Sequence, residues 1–432
     1  MQRQPVLTLA LAAAVLALPV RAAELNPTEH RIVAEVRAWS GEALGLLERS
    51  ARINSGTMNV AGVRAVGEVF AKEFEQIGMR TAWLDMPADM RRAGHLVALS
   101  EGKQGKRLLL LGHLDTVFEP DAPGPLWERE GEYARGQGVG DMKGGNVVVV
   151  AALRALHRVG ALGNTRITVM FTGDEEDAGE PRSVSRRDMV ELAKRSDIAL
   201  GFEGTVTDQG QATATVGRRA TASFDLEVKA RQGHSQGVFG PGGFGAVYEA
   251  ARILDGFRRQ VVEPGLTFNP GVILGGTDVA YDEAKAGGTA AGKTNVIANT
   301  VTIKSDLRYL DYAQRDRAQA KMREIVGQSL PGASATISFR DSYPPMAVTP
   351  GNLKLLDLYS QASSDAGLGS IAALPATARG AGDIQFVAPY VDSLDGLGAS
   401  GAGAHSPAER VELASIERAA IRTALLIYRL TR

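Results

Sequence analysis

Apolar positions change their spacing along the chain, and each spacing predicts a different kind of element. Between residues 34 and 79 they recur every three or four positions, which is typical of amphipathic helices. Farther on come short, fully apolar runs of the kind that forms strands buried on both faces. The predicted strands are Arg107–Leu111, Ile167–Phe171 and Ile198–Phe202, with a helix over Asn146–Leu156. Strands that alternate with helices predict a mixed, largely parallel sheet flanked by helices, the α/β class.

A second unit begins near Val216. Its first strand alternates apolar residues with polar ones over residues 222–229, so we expect one face of that strand to be exposed. The elements predicted next are a helix at Gly245–Phe257, strands at Val272–Leu274 and Val301–Tyr309, a helix at Ala313–Leu330 and a strand at Ala335–Phe339. Residues 278–293, rich in Gly and Ala, are expected to form a long loop.

The order β-α-β-β-α-β of this second unit is that of a ferredoxin-like α+β domain. Strand and helix patterns resume after residue 345 and continue to the end of the chain. We therefore expect the unit, residues 216–342, to be inserted into a discontinuous α/β domain that consists of residues 23–215 and 343–432.

Residues 1–22 have the features of a secretory signal peptide. Arg3 precedes an apolar run over residues 6–18, which is too short to cross a bilayer core about 30 Å thick as a helix. Val-Arg-Ala at positions 20–22 fits the small-x-small rule for cleavage. An uncleaved signal anchor is the alternative. We expect an exported protein, periplasmic or secreted, whose mature chain starts near Ala23 and keeps no stable membrane anchor.

Charge and cysteine content narrow the function classes. The 432 residues carry 48 Lys and Arg against 49 Asp and Glu, for a formal net charge of −1, which argues against a nucleic-acid binder or a polybasic membrane-surface protein. The chain has no cysteine, which excludes disulfides, thiolate metal sites, iron–sulfur clusters and a cysteine nucleophile. A transition metal would have to be held by histidine and carboxylate.

Acidic residues and histidines gather where the predicted strands end. His113 and Asp115 follow the first strand, the run Gly-Asp-Glu-Glu-Asp at 173–177 follows the second, and Glu203 follows the third. A glycine-rich loop delivers Asp141 just before a helix, and His405 lies in another glycine-rich loop near the C-terminus. Ligands of open α/β sheets bind outside the carboxyl ends of the strands. Each motif alone is more often structural, but their occurrence together favours a site.

These motifs, in chain order, resemble the M20 family of metallopeptidases. They read LLLLGHLDTV, GQGVGDMKGG, FTGDEE, GFEG, RQGHSQG and GAGAHSPAERVEL, and the closest likeness is to the glutamate carboxypeptidase (carboxypeptidase G-like) branch. The resemblance spans residues 108–413. It implies a zinc-exopeptidase-like catalytic domain and an inserted lid domain through which two subunits form a homodimer.

The resemblance also implies a site with two zinc ions per subunit, or with another divalent ion such as Co²⁺. The implied ligands are His113 and Glu203 for one ion, Glu176 and His405 for the other, and Asp141 as the bridge between them. Asp115 would orient His113, and Glu175 would act as the general base. Zinc accepts imidazole nitrogen and carboxylate oxygen, so these residue types suit the implied chemistry.

On the inserted domain the resemblance assigns three residues to the substrate. His234 would reach the neighbouring subunit's site and donate a hydrogen bond to the developing oxyanion. Arg308 would hold a substrate carboxylate, and Asn295 lies in the matching Asn-Val-Ile segment. The alternatives are an ordinary loop histidine for His234 and a surface arginine for Arg308.

The implied activity is hydrolysis of the amide bond beside a free C-terminal carboxylate in a small peptide or an N-acyl amino acid. A C-terminal glutamate is one candidate, and an aminoacylase or dipeptidase of the same family is the alternative. Segments 177–194 and 278–293 depart from the pattern of the folate-cleaving members. The selected side chain therefore stays open.

Two other function classes compete with this interpretation. Gly-His-Ser-Gln-Gly at 233–237 fits the nucleophile elbow of serine α/β-hydrolases, and Asp383 and His405 follow Ser235 in the required order. That motif needs a buried strand before the serine and a helix directly after it, whereas residues 238–243 have the composition of a loop. A non-catalytic binding protein is the third class, and the presence of all five implied ligands and the base argues against it.

Overall fold

The computed structural model describes residues 24–432, so the predicted signal peptide lies outside the described residues. The α-helices of that range are α1 (Pro27–Ala38), α2 (Ser40–Ala51), α3 (Val60–Gln76), α4 (Gly144–Arg158), α5 (Arg182–Ser185), α6 (Arg187–Ala193), α7 (Gly245–Gln260), α8 (Tyr312–Val326), α9 (Pro350–Asp365), α10 (Ile384–Val387) and α11 (Leu413–Leu430). In residues 24–432, no helix has the combined length and apolarity needed to cross a membrane.

The strands form several sheets. In chain order they are β1 (Arg80–Leu84), β2 (His95–Glu101), β3 (Gln104–His113), β4 (Glu128–Glu130), β5 (Tyr133–Arg135), β6 (Thr165–Thr172), β7 (Ile198–Gly201), β8 (Thr207–Asp208), β9 (Gln211–Thr215), β10 (Ala220–Ala230), β11 (Thr267–Gly276), β12 (Asp278–Asp282), β13 (Gly287–Ala291), β14 (Thr300–Tyr309), β15 (Ala333–Tyr343), β16 (Ala372–Leu374), β17 (Asp392–Leu394), β18 (Gly401–Ala402) and β19 (Arg410–Glu412).

A six-stranded sheet in the order β1-β2-β6-β3-β7-β17 forms the centre of the larger unit. Strands β6, β3, β7 and β17 run parallel, whereas β1, β2 and β6 pair antiparallel. The sheet is therefore mixed, as the sequence predicts, and its antiparallel pairs lie at one edge. Helices cover both faces, which is why the central strands carry no polar alternation.

Strand β3 shows how its leucine run is buried. Leu108 and Leu110 pack into the core cluster that includes α4 and α11, and Leu109 and Leu111 pack into a second cluster on the opposite face. All four side chains are at most 3% exposed. Period-two alternation sends successive residues to opposite faces, so two covered faces require four apolar residues in a row.

Residues 220–343 form a separate sheet in the order β11-β14-β10-β15, in which every pairing is antiparallel. Helices α7 and α8 pack on this sheet, and the side chains between them form a hydrophobic cluster of their own, with Phe224, Phe257 and Met322 buried in it. The elements follow one another in the order β-α-β-β-α-β, with one additional hairpin in the middle. We call this unit the lid unit.

The additional hairpin corrects one prediction. Residues 278–293, expected to be a loop, contain β12 and β13, which pair antiparallel from Asp278 opposite Ala291 to Asp282 opposite Gly287. A Cβ on Gly288 would lie 2.2 Å from the carbonyl oxygen of Ala280, so the close approach of the two strands requires glycine there. β13 reads Gly-Gly-Thr-Ala-Ala, which gives no apolar alternation, and its pairing with β12 was therefore not visible in the pattern.

Candidate active site

Three of the implied ligands lie at the carboxyl edge of the central sheet. His113 is the last residue of β3, Glu176 follows β6, and Glu203 follows β7. These strands are neighbours in the order β6-β3-β7 and run parallel, so their carboxyl ends meet at one edge. The three side chains are thereby brought together although they are far apart in sequence.

Asp141 and His405 reach the same place from loops. The Oδ1 atom of Asp141 lies 3.3 Å from Nε2 of His113, and its Oδ2 atom lies 3.1 Å from Nε2 of His405. Glu203 Oε1 is 3.5 Å from Nε2 of His113, and Glu176 Oε2 is 3.2 Å from Nε2 of His405. One carboxylate thus lies between two histidine–glutamate pairs, as a bridging ligand would.

The loop that carries Asp141 is held by Glu409. The Glu409 carboxylate accepts the backbone N–H groups of Gly138, Gly140 and Asp141 at 3.2, 2.8 and 3.0 Å. Gly138 has a φ of +75°, and a Cβ there would lie 2.4 Å from a methyl carbon of Thr116. Glu409 lies within the C-terminal motif that carries the resemblance, but its contact with the glycine-rich loop was not predicted, because the two segments are about 270 residues apart.

The donor set fits a divalent metal. Donor atoms of His113, Asp141 and Glu176 lie within 4.8 Å of one another. Oε1 of Glu176 is buried and has no hydrogen-bond partner, and an orphaned buried carboxylate oxygen is costly unless a cation or a donor satisfies it. Imidazole nitrogen and carboxylate oxygen together are the ligands that zinc takes from a chain without cysteine.

The charges of the cluster depend strongly on one another. Hydrogen bonds to Asp141 and Glu176 raise the pKa of His405 to about 11. Burial lowers the pKa of His113, but the carboxylates of Asp115, Asp141 and Glu203 outweigh it and raise that pKa well above its usual range. Without a metal, protons on the two imidazoles therefore offset part of the negative charge of the ligand carboxylates.

Asp115 and Asn146 fix the backbone around the cluster. Nδ1 of His113 lies 3.0 Å from the carbonyl oxygen of Asp115 and 3.4 Å from its Oδ1 atom. Asn146, on α4, donates to the carbonyl oxygen of His113 at 2.6 Å. Because Nδ1 is engaged in this way, Nε2 of His113 is directed at Asp141 and Glu203 and is available as the metal-binding nitrogen.

A cavity of about 410 Å³ opens beside the cluster. Its lining includes Asp141, Glu175, Glu176, Glu203 and His405, together with three arginines, Arg218, Arg379 and Arg410. Burial raises the pKa of the Glu175 carboxyl well above its usual value. A carboxylate that lines the cavity and binds protons readily is suited to proton transfer.

The comparisons with known proteins decide the family. The model of peptidase family M20/M25/M40 matches residues 109–429. This chain belongs to that family. It is 29% identical over 389 residues to Carboxypeptidase G2 from Pseudomonas sp. (strain RS-16), an alignment that covers 88% of this chain and 87% of that protein. As a member of the M20 family it is a peptidase, a hydrolase of peptide or amide bonds.

Solved structures of peptidases share the fold of this M20 chain. Aminopeptidase PepT from Bacillus cereus superimposes with a TM-score of 0.70 at 17% identity, over 91% of this chain and 99% of that one. A dinuclear metal binding peptidase of the M20 family from Bacillus subtilis superimposes with a TM-score of 0.62 at 12% identity, over 91% and 99% of the two chains. At such identities the likeness shows the architecture alone.

The lid-unit residues of this M20 peptidase lie elsewhere. His234 and Asn295 are exposed and belong to adjoining turns, since the backbone N–H of Ser235 donates to the carbonyl oxygen of Asn295 at 2.9 Å. Arg308, on β14, forms an ion pair with Asp306 at 2.9 Å and is about one-third exposed. His234, Asn295 and Arg308 are not among the residues that line the cavity. The single chain therefore brings the metal cluster together but leaves the lid residues apart from it.

The structure separates the residues of the competing serine-hydrolase interpretation. Ser235 begins a short turn rather than standing between a buried strand and a helix. Asp383 accepts hydrogen bonds from Arg186 and Thr172 at 2.7 and 2.6 Å. His405 instead faces Asp141 and Glu176. A Ser-His-Asp triad needs these three side chains hydrogen-bonded in sequence, and they are not.

A buried network behind the Glu175 loop was not predicted. Arg186 is 1% exposed and donates to Asp174 and Asp383 at 2.7 Å each. His95, which had no recognisable motif around it, accepts the N–H of Gly173 at 3.3 Å with Nδ1 and is also buried. The network clamps the segment that leads into Glu175 and Glu176.

Proposed function

We propose that this M20 peptidase is a dizinc exopeptidase of the carboxypeptidase type. It would hydrolyse the amide bond beside a free C-terminal carboxylate in small peptides or N-acyl amino acids. The observation that carries the proposal is the position of Asp141, whose two carboxylate oxygens face the His113 and His405 imidazoles. Two metal ions that share one carboxylate need a side chain placed in this way.

The residues divide into two ligand sets. His113 and Glu203 would hold one ion, Glu176 and His405 the other, and Asp141 would bridge them. When bound, the ions would supply Lewis-acid polarisation of the substrate carbonyl and would lower the pKa of the attacking water. The match to the M20 family and the orphaned oxygen of Glu176 support metal dependence, with Co²⁺ as a possible substitute for zinc.

Glu175 would move the proton. Its carboxylate lines the cavity beside the cluster, and its backbone N–H is held by Asp115 at 3.1 Å. It would accept a proton from the attacking water and deliver it to the nitrogen of the leaving amine, so that it ends the cycle unprotonated. Burial favours the protonated form of Glu175, which helps it to hold the proton between the two transfers.

The substrate side is supported by similarity and by charge. Carboxypeptidase G2 is a relative whose name states a carboxypeptidase activity, and the cavity of this chain contains cationic side chains beside the ligands. Arg308 and Asn295 would complete the recognition of the C-terminal carboxylate once the lid unit approaches. An aminoacylase or dipeptidase of the same family is the second candidate.

We also propose that the chain acts as a homodimer outside the cytoplasm. His234 is exposed and lies outside the cavity of its own chain, which suits a residue that serves a partner subunit. The signal-peptide features of residues 1–22 support export to the periplasm or beyond.

A chelation and substrate experiment tests the proposal. The mature protein, residues 23–432, is stripped with dipicolinate and reloaded with zinc, and hydrolysis of N-acyl amino acids and dipeptides is compared with hydrolysis of their C-terminal amides. We expect activity to vanish on stripping, to return with zinc and to require the free carboxylate. Retention of activity after complete stripping, with inhibition by a serine-directed phosphonofluoridate, would refute it.

A further inference from the structure

Two arginines of the cavity, Arg379 and Arg410, have no anionic partner among the described residues. Arg410 is exposed and lies over the ring of Tyr133, whereas Arg379 is partly buried. Arg379 lines the cavity together with the implied ligands. Nη1 donates to the carbonyl oxygen of Gly204 at 2.8 Å. This is its sole hydrogen bond within residues 24–432, and no ion pair to it forms there. A guanidinium offers five N–H donors, so most of its capacity is unused by the protein.

The neighbouring Arg218 shows the contrast. Its Nε and Nη2 atoms donate to Oδ2 of Asp395 at 2.9 and 2.5 Å, so its charge is neutralised inside the fold. Its Nη1 atom donates to the carbonyl oxygens of Gly380 and Ala381 at 2.8 and 3.0 Å. Arg218 is therefore a structural cation that fixes the loop directly after Arg379.

The same segment is also anchored at residues 382 and 383. The N–H of Gly382 donates to Oε1 of Gln385 at 2.8 Å, and the carboxylate of Asp383 is held by Arg186 and Thr172. Arg379 therefore directly precedes a segment that is fixed from residue 380 to residue 383, and binding an anion there costs little ordering of that backbone.

Positive charge at Arg379 is not compensated locally. Burial, and after it the charge of Arg218, lower the pKa of Arg379, although the guanidinium stays charged. The nearby carboxylate of Glu203 is directed at His113. In the proposed function, two divalent ions offset the negative charges of Glu203, Asp141 and Glu176. The positive charge of Arg379 is then left without a carboxylate to neutralise it.

We propose that Arg379 forms an anion subsite that binds a second carboxylate of the substrate, distinct from the C-terminal carboxylate assigned to Arg308. That carboxylate can belong to the side chain of the leaving amino acid or to the acyl group. The inference rests on the proposed function, since it takes the cavity as the place of hydrolysis. It makes dicarboxylic compounds the preferred substrate class.

Two matched substrate pairs locate the carboxylate. N-acetylglutamate against N-acetylglutamine tests the leaving side, and N-succinylalanine against N-succinamoylalanine tests the acyl side. In the zinc-loaded protein we expect one pair to show a preference for the charged member. Arg379→Gln should reduce that kcat/KM ratio on the order of 10- to 100-fold and leave the other ratio unchanged. Arg379→Lys keeps the positive charge but not the planar guanidinium. Its kcat/KM ratio should lie between those of the wild type and Arg379→Gln.

Arg187→Gln is the matched control, because Arg187 is an exposed arginine paired with Asp188 on α6. Binding of glutarate and butyrate, measured by calorimetry on the zinc-loaded protein, gives a readout independent of turnover. We expect Arg379→Gln to weaken the binding of glutarate on the order of 10-fold or more. The binding of butyrate should hardly change. Equal effects on both ligands, or unchanged ratios for both substrate pairs, would overturn the subsite. Absence of wild-type turnover with selective loss of glutarate binding would count against the proposed function and for the subsite.

Discussion

Asp115 accepts the backbone N–H of Glu175 with its Oδ1 atom at 3.1 Å. Its Oδ2 atom accepts the N–H of Glu176 at 3.1 Å and the hydroxyl of Thr57 at 2.7 Å. The same carboxylate approaches Nδ1 of His113. The resemblance assigned Asp115 to His113 alone, whereas the structure shows one buried carboxylate that fixes a ligand, the adjacent ligand loop and the base together.

Asp115→Asn is expected to reduce turnover, metal content and stability at once. An amide replaces one acceptor oxygen with an NH₂ group, which cannot accept the N–H of Glu175 or Glu176. One unsatisfied buried donor costs about 1–3 kcal/mol. Urea unfolding, metal analysis and kcat measure the three effects. Thr57→Val removes one neutral hydrogen-bond donor to Asp115 instead. It should therefore reduce stability, metal content and kcat less than Asp115→Asn does. Wild-type metal content and kcat in Asp115→Asn would contradict the positioning role.

The adjacent glutamates should behave differently when each becomes an amide. Glu175→Gln cannot accept a proton from water but changes no ligand, so turnover should fall by roughly 10²–10⁴-fold while both metals are kept. Glu176→Gln replaces a ligand carboxylate and should lose metal as well as activity. Metal analysis beside kcat separates the two. Loss of one ion from Glu175→Gln would reverse the assigned roles.

The gathering of the strand-end side chains at one edge of the sheet was predictable because local patterns encode it. Each strand-end ligand follows a short apolar run, and parallel neighbours bring their carboxyl ends together without any knowledge of side-chain packing. His113 and Glu203, in particular, follow directly from the ends of β3 and β7. The mixed sheet was predictable for the same reason.

Contacts between distant segments were not predictable. Arg186 pairs with Asp174, 12 residues away, and with Asp383, 197 residues away, and no spacing rule links such partners. The hairpin of β12 and β13 was missed because the Gly and Ala residues of β13 can face either solvent or protein. The short strands β4, β5, β18 and β19 also form one sheet, and the distant pairing of β5 with β19 cannot be signalled by their own three residues.

A pH-dependent contribution to stability is expected from Asp197. Arg107 donates to Asp197 from its backbone N–H at 2.8 Å and from Nε at 3.1 Å, and this contact lowers the pKa of Asp197 to about 2. A carboxyl with a lower pKa in the folded state stabilises the fold above its unfolded pKa of about 3.9. The contribution is lost as the pH falls from about 4 to about 2.

Asp197→Asn should therefore cost on the order of 1 kcal/mol at pH 7, since solvent screens a partly exposed pair. The difference from wild type should shrink at pH 3. Urea unfolding at both pH values measures it. A difference of the same size at pH 7 and pH 3 would mean that the Arg107 contact does not depend on the charge of Asp197.

Arg308→Ala should raise KM for substrates with a free C-terminal carboxylate. Loss of one charge-assisted contact costs about 2–4 kcal/mol, or roughly 30- to 1000-fold in kcat/KM. Substrates whose terminal carboxylate is an amide provide the control and should be affected little. An unchanged KM for the free acid would favour a surface arginine whose partner is Asp306.

His234 is expected to act on the active site of a partner subunit. Its Nδ1 atom accepts the N–H of Gln236 at 3.1 Å, so the neutral ring carries its proton on Nε2 and can donate from there. It is exposed and does not line the cavity of its own chain. His234→Ala should therefore reduce kcat by roughly 10²–10³-fold, as loss of one oxyanion donor does, and leave metal content unchanged.

Mixing two inactive variants tests whether His234 acts across subunits. In a heterodimer of His234→Ala with Glu175→Gln, one site combines an intact Glu175 with the partner's intact histidine, and the other site lacks both. Equal mixing with free exchange should restore about a quarter of wild-type activity, because half of the dimers contain one competent site. Glu176→Gln can be used in place of Glu175→Gln, because it is also inactive and also supplies an intact His234. If subunits exchange and the mixtures stay inactive, His234 acts within its own lid unit and catalysis does not require the dimer.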